Sequence, residues 1–269
     1  MAQEEIVKLL SEMVKIQSIS SDKNHRDDVD TSAQFVENLF SGLGLNTQVI
    51  KVAGGMPAVV AHTELDPSKK TVLLYAHHDV QPVGDLNLWT TDPFDPVIQD
   101  GRLFGRGSGD NKAGVVVHYN VVKELLEDLP VNIKIFIEGE EEIGSPSMTK
   151  FLKDNSKELS SDYCLVCDTG MWDHKTPCIT TMLRGMVGDE VKIIAANRDL
   201  HSGMYGGLAA NPIHILSKIL SYLHDENGRI TLEGFYDEVP ELSKQQKDQW
   251  DSLNFNSSEF LSDVGLSNV

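Results

Sequence analysis

Thr71–Ala76 reads TVLLYA and runs straight into His77-His78-Asp79. An apolar run of that length, entered from Lys69-Lys70 and left through a polar motif, fits a strand buried on both faces of a sheet. Side chains two apart share a side of a strand, so His77 and Asp79 face together and His78 points away. In an open α/β sheet, the carboxyl end of such a strand is where ligands are held.

Similar runs lie on either side. Residues 3–17 repeat Ile6, Leu9, Leu10, Met13 and Val14 at helical spacing. A second helix carries Phe35, Val36, Leu39 and Phe40 on one side and ends at Gly42 and Gly44. Leu45–Val52 and Pro57–His62 read as strands around Gly54-Gly55. Downstream, Lys112–Glu127 reads as a helix, Val131–Ile137 as a strand, Pro146–Lys153 as a helix and Tyr163–Cys167 as a further buried strand. Alternating strands and helices predict an α/β fold, a central mixed sheet with helices on both faces. The pattern changes near Arg184. A strand at Asp189–Ala196 and a helix at Asn211–His224 follow, and the chain turns polar after Gly228. The expected division is therefore 1–183 and 184–269.

The 269 residues are 40% hydrophobic and 24% charged, ordinary globular values that allow a sizeable core. A net charge of −18 argues against nucleic acid, whose phosphates demand a basic face. No apolar run reaches membrane-spanning length, and Met1–Glu5 lacks the features of a signal peptide. The expectation is a cytoplasmic protein with neither membrane nor nucleic acid as a partner. Cys164, Cys167 and Cys178 are an odd set. The C-x-x-C spacing of Cys164 and Cys167 lies in an apolar run without a second pair, so buried small hydrophobes fit it better than a zinc knuckle.

Chemistry collects at strand ends. His77-x-Asp79 pairs an imidazole with a carboxylate able to orient it, since a ligating histidine gives its second nitrogen to an acceptor. The glycine-rich GRGSGDNKAG (Gly105–Gly114) lacks both the Walker and the Rossmann pattern, and its glycines let Asp110 approach an occupied site. Glu138-Gly139-Glu140-Glu141-Glu142 follows a strand. Glu138 and Glu140 fit a solvated acidic loop and a site equally well. Hydrolysis needs one carboxylate on the metal and another to take the proton from water, which favours Glu141-Glu142 for that division. Asp168 follows the strand at Tyr163–Cys167 and adds an oxygen. A histidine among several carboxylates is the ligand set of a two-metal hydrolase, and it suits Zn²⁺ or Mn²⁺ better than Ca²⁺.

Together HHDVQP (His77–Pro82), DGRLFGRGSGDNKAG (Asp100–Gly114), EGEEEIGS (Glu138–Ser145) and RDLHSGMYGG (Arg198–Gly207) resemble the M20 metallopeptidases, in their branch of cytosolic nonspecific and carnosine dipeptidases. The resemblance implies a zinc-peptidase-like catalytic domain over 1–183 and part of an inserted α+β lid and dimerisation domain over 184–269. It implies one divalent metal on His77, Asp110 and Asp168, with Asp110 bridging to a second metal on Glu142. Asp79 would orient His77, and Glu141 would be the general base. His201 would be the lid histidine, reaching across a homodimer to the scissile carbonyl of a dipeptide such as Cys-Gly.

Family members extend beyond Val269, and the further part supplies a histidine to the second metal, a lid arginine and a glycine-rich loop. The expected consequence is impaired hydrolysis by this chain. Asn111 stands where many relatives carry an aspartate. Two other readings use the same residues: a non-catalytic metal-binding partner of a longer homologue, and a deacylase of N-acyl amino acids.

Overall fold

The computed structural model describes residues 3–51, 54–173, 175–262 and 264–266. Contacts divide the chain into two units, Met1–Leu183 and Arg184–Val269.

In the first unit, α1 (Gln3–Val14) buries Met13 and Val14, and α2 (Arg26–Gly42) buries Val36 and Phe40, with Phe35 and Leu39 half-buried beside them. The strands are β1 (Asn46–Lys51), β2 (Pro57–His62), β3 (Thr71–His77), a small hairpin of β4 (Val97–Gln99) and β5 (Arg102–Phe104), then β6 (Asn132–Glu138) and β7 (Tyr163–Val166). Between them come α3 (Lys112–Leu125) and α4 (Met148–Asp154). The strand expected at Leu45–Val52 is found as β1, except that Val52 lies outside the described residues.

The main sheet has the order β1-β2-β6-β3-β7. β2 runs antiparallel to β1 and β6, whereas β3 runs parallel to β6 and β7. The sheet is therefore mixed, as expected. β6 lies at its centre with every residue buried. Met13, Val36, Phe40, Val115 and Val122 from α1, α2 and α3 pack on one face against Val59, Leu74 and Ile135. On the other face Phe151 of α4 stacks on Phe136 at 4.8 Å between ring centroids. Helices thus cover both faces.

The register sets where the site forms. His77 is the partner of Glu138 across β3 and β6, and the Cys167 N–H donates to the Tyr75 carbonyl at 2.9 Å. The carboxyl ends of β3, β6 and β7 therefore finish level at one edge of the sheet.

Several expectations are corrected. Tyr163–Cys167 is not a buried strand: all of β7 is exposed, as is Cys164, and Cys167 is half-buried. The reason is position, because β7 is an edge strand and among the described residues pairs only with β3. β3 is fully buried only towards its carboxyl end, its first residues being half-buried. Pro146 does not open a helix; Ser147 caps α4, which begins at Met148.

The second unit holds α5 (Ser202–Tyr205), α6 (Pro212–Tyr222), α7 (Lys244–Asp251) and α8 (Ser257–Ser262). The Asn211 side chain accepts the Ile213 N–H at 2.9 Å and Pro212 follows, an opening that suits both residue types. The strand expected at Asp189–Ala196 is not formed, since no strand pairs with that segment among the described residues.

Candidate metal centre

His77 ends β3 with 0% of its surface exposed. Its Nδ1 lies 3.1 Å from the Asp79 carbonyl and 3.3 Å from Asp79 Oδ1, so Nδ1 carries the proton and donates it there. Nε2 is thereby aimed at a group of carboxylates: Asp110 Oδ1 at 3.0 Å, Asp168 Oδ2 at 3.7 Å and Glu141 Oε2 at 3.8 Å. One ligand atom each from His77, Asp110 and Asp168 falls within 4.8 Å of the others. Asp110 reaches this point from the loop before α3, and Asp168 from the loop after β7.

Electrostatics follow from this crowding. Burial works to lower the His77 pKa, but the hydrogen bond to Asp79 and the charges of Asp79, Asp168 and Glu141 raise it to about 9. Burial works to raise Asp79, yet the hydrogen bond with His77 holds it below the usual carboxylate range. Glu141 is raised by burial; His77 pulls it back, and Glu142 and Asp168 push it further up. Glu142 is also raised by burial, opposed by a hydrogen bond from Gln81 and reinforced by Asp110.

Glu141 and Glu142 sit in a short 3₁₀ turn at the carboxyl end of β6. Asp79 holds that turn, accepting the Glu141 N–H at Oδ1 (3.2 Å) and the Glu142 N–H at Oδ2 (3.1 Å). Gln81 Nε2 donates to Glu142 Oε2 and to its carbonyl, both at 2.9 Å. Glu142 is near enough for Asp110 and His77 to shift its pKa, but it is not part of the His77–Asp110–Asp168 trio.

The two glutamates of undecided role are both buried. Glu138 accepts the Tyr75 hydroxyl at 2.7 Å, and its carboxyl is raised by burial. Glu140 accepts the Met56 N–H at 3.0 Å and the Ser147 N–H at 2.7 Å, which ties two loops to the base of the turn. His78 points away from the trio, as expected: its Nε2 donates to the Pro57 carbonyl at 3.0 Å, and burial lowers its pKa to about 4. His201 belongs to the second unit, where its Nδ1 accepts the Gly203 N–H at 3.0 Å ahead of α5.

Asn111 joins the candidate site in a part that the sequence left unread. Its Oδ1 accepts the His77 N–H at 3.2 Å, and its Nδ2 donates to the Cys167 carbonyl (2.6 Å) and to Asp168 Oδ1 (2.8 Å). One amide thus joins the ends of β3 and β7 and orients a carboxylate of the trio. An aspartate lacks the donors for two of these bonds. The signal was its place beside Asp110, but a pattern of residue types does not reveal hydrogen-bond direction.

The residues from 73 to 259 match the model of peptidase family M20/M25/M40. The Cys-Gly metallodipeptidase of Schizosaccharomyces pombe is 33% identical over 277 residues, covering 97% of this chain and 58% of that protein. The human Beta-Ala-His dipeptidase is 31% identical over 283 residues, covering 96% of this chain and 54% of that protein. Among solved structures, an M20 family metallo-carboxypeptidase from Sulfolobus solfataricus superposes with a TM-score of 0.79 at 30% identity, covering 98% of this chain and 60% of that one. Human carnosine dipeptidase 1 gives 0.73 at 28%, covering 99% and 59%. The chain therefore spans little more than half the length of these relatives. No helix among the described residues is long and apolar enough to cross a membrane. The extent of the family match and the identity to these relatives show that the chain belongs to peptidase family M20/M25/M40.

Proposed function

We propose that this chain carries the metal centre of a dipeptidase that hydrolyses substrates of the Cys-Gly or β-Ala-His kind with divalent metal ions, Zn²⁺ or Mn²⁺. The observation that supports this most is the His77–Asp110–Asp168 trio with Asp79 behind it. The donor set fits a cation: an imidazole oriented by a carboxylate, which would yield its Nε2 proton to the ion, and two further carboxylates whose charges gather at one point. His77, Asp110 and Asp168 would hold one ion, with Asp110 shared towards a second on Glu142. Bound there, the metal would polarise the carbonyl and make water a nucleophile at neutral pH.

The chain's own residues do the rest. Glu141, raised by burial and by its acidic neighbours, takes the proton from water and passes it to the leaving amine. Asp79 fixes the imidazole and, through both glutamate N–H groups, keeps Glu141 and Glu142 on the same side. Gln81 holds one oxygen of Glu142, and Glu142 would contribute to holding an ion. His201 serves the scissile carbonyl from a partner protomer in a homodimer.

The test is a titration of the chain with Zn²⁺ and Mn²⁺, with a Cys-Gly and carnosine assay on the same samples. Glu141→Ala should keep its metal and lose any dipeptide hydrolysis that the wild type shows. His77→Ala and Asp168→Ala should lose the metal. A wild-type chain that binds neither ion, or an active Glu141→Ala, would overturn the reading.

A further inference from the structure

Lys112 opens α3 with none of its surface exposed. Its Nζ donates to the carbonyls of Met13 at 2.9 Å and Ile16 at 2.6 Å. A buried amine is costly unless its hydrogens are taken up, and here backbone at the carboxyl end of α1 takes two of them. That end leaves carbonyls without donors and attracts positive charge. α1 has no basic residue in its own last turn. α3 supplies one instead.

The segment that leaves α1 is tied to the metal centre. Ser18 Oγ donates to the His78 carbonyl at 2.7 Å, the Val80 N–H donates to the Ser18 carbonyl at 2.9 Å, and Ile19 forms a parallel bridge with Val80. His78–Val80 is thus braced on both sides of Asp79. At its other end, the Lys112 N–H donates to the Gly107 carbonyl at 3.1 Å, which closes the loop carrying Asp110. The stem lies so close that a Cβ added at Gly107 would sit 3.1 Å from Lys112 Cδ.

We propose that Lys112 is a positioning residue for the metal centre: by tethering the carboxyl end of α1 it sets the brace that holds His77 and Asp79 opposite Asp110. This rests on the metal-centre reading above. Residues that orient ligands from behind are typically worth about 10- to 100-fold in metal affinity.

The experiment titrates the full chain with Co²⁺, following dissociation constant and visible absorption, in wild type, Lys112→Met and Val36→Ala. Val36 is a buried core residue of α2, and its truncation controls for loss of stability alone. The expected result is a Kd for Lys112→Met raised about tenfold or more with altered absorption bands, while Val36→Ala keeps both wild-type properties. Wild-type binding and bands in Lys112→Met, or the same change in Val36→Ala, would overturn the inference. Should Lys112→Met fail to fold, Ser18→Ala removes one strut of the brace, its hydroxyl bond to the His78 carbonyl, and must weaken Co²⁺ binding; unchanged binding there overturns the inference as well. A wild type that takes up no Co²⁺ refutes the metal centre itself, and the inference with it. Binding that ignores these substitutions refutes only the inference.

Discussion

Asp79 Oδ2 accepts the backbone N–H of Glu142 at 3.1 Å across 63 residues of sequence. The same carboxylate takes the Glu141 N–H on its other oxygen and the Nδ1 proton of His77. A single group with 0% exposure therefore links the imidazole of the trio to the turn that carries both glutamates. Imidazole and turn cannot move independently while Asp79 keeps these bonds.

Asp79→Asn tests that link. The amide offers one oxygen where the carboxylate offers two, so its NH₂ meets an N–H donor or loses His77. Metal affinity should fall about 10- to 100-fold, and the metal-free chain should lose about 1–3 kcal/mol through an unsatisfied buried donor. Calorimetric titration and a thermal melt read the two effects. Wild-type affinity in this variant would show that Asp79 does not orient the site.

The neighbouring histidines shape stability against pH in opposite directions. His77 is raised from 6.5 to about 9, so its contribution is complete below pH 6.5 and is lost as pH rises towards 9. His78 is lowered from 6.5 to about 4, so the unfolded chain takes up a proton first, and stability is lost as pH falls from 6.5 towards 4. Each contributes on the order of 3 kcal/mol. Urea unfolding of the metal-free chain should show the His78 loss between pH 6.5 and 4; on the alkaline side buried Lys112, lowered from 10.5 to about 7, gains stability as pH rises and offsets the His77 loss. Replacing His78 with Gln should flatten the acid side alone.

Gly114 and Gly109 lie in the same loop-to-helix segment and should respond differently to alanine. A Cβ at Gly114 would meet the Cys167 carbonyl at 2.3 Å and Asn111 Oδ1 at 2.5 Å, whereas nothing lies within 4 Å of one at Gly109. Gly114→Ala should cost about 1–3 kcal/mol by overpacking and weaken metal binding by displacing Asn111. Gly109→Ala should melt within about 0.5 kcal/mol of wild type. Equal melting temperatures would contradict the close approach of α3 to the end of β7.

Metal removal supplies a further check. An ion at about 100 times its Kd stabilises the folded chain by about 2.7 kcal/mol. The melting temperature should fall on adding a chelator, and His77→Ala should show no such fall. A chelator-insensitive wild type would leave the trio without an ion to hold.

Much of the first unit was legible in the sequence. Pro57–His62 could be read as a strand because an apolar run between turn residues has few other uses, and α2 because its apolar residues keep one side. The order of the candidate ligand motifs was equally plain: His77, Glu141-Glu142 and Asp168 follow strands, and Asp110 stands in the glycine-rich loop before α3. The burial of β7 was misread because the residue types of an edge strand resemble those of a central one; its neighbours decide exposure. Asp189–Ala196 failed for a related reason, as β-forming residues make a strand only when another backbone supplies the hydrogen bonds. Lys112 went unread because a lysine at the start of a helix ordinarily faces water, and only the approach of α1 encloses it.

The sequence by itself determined which residue types stand at strand ends, and therefore that an imidazole and several carboxylates would emerge at one edge of a sheet. The alternation of apolar runs and turns is a local property, and local properties survive in a string of letters. Tertiary structure alone decided that β3, β6 and β7 end level, that Asp79 bonds both glutamate N–H groups, and that Asn111 donates to Asp168. Those relations depend on register and hydrogen-bond direction between segments far apart in the chain, and these exist only once the backbones are paired.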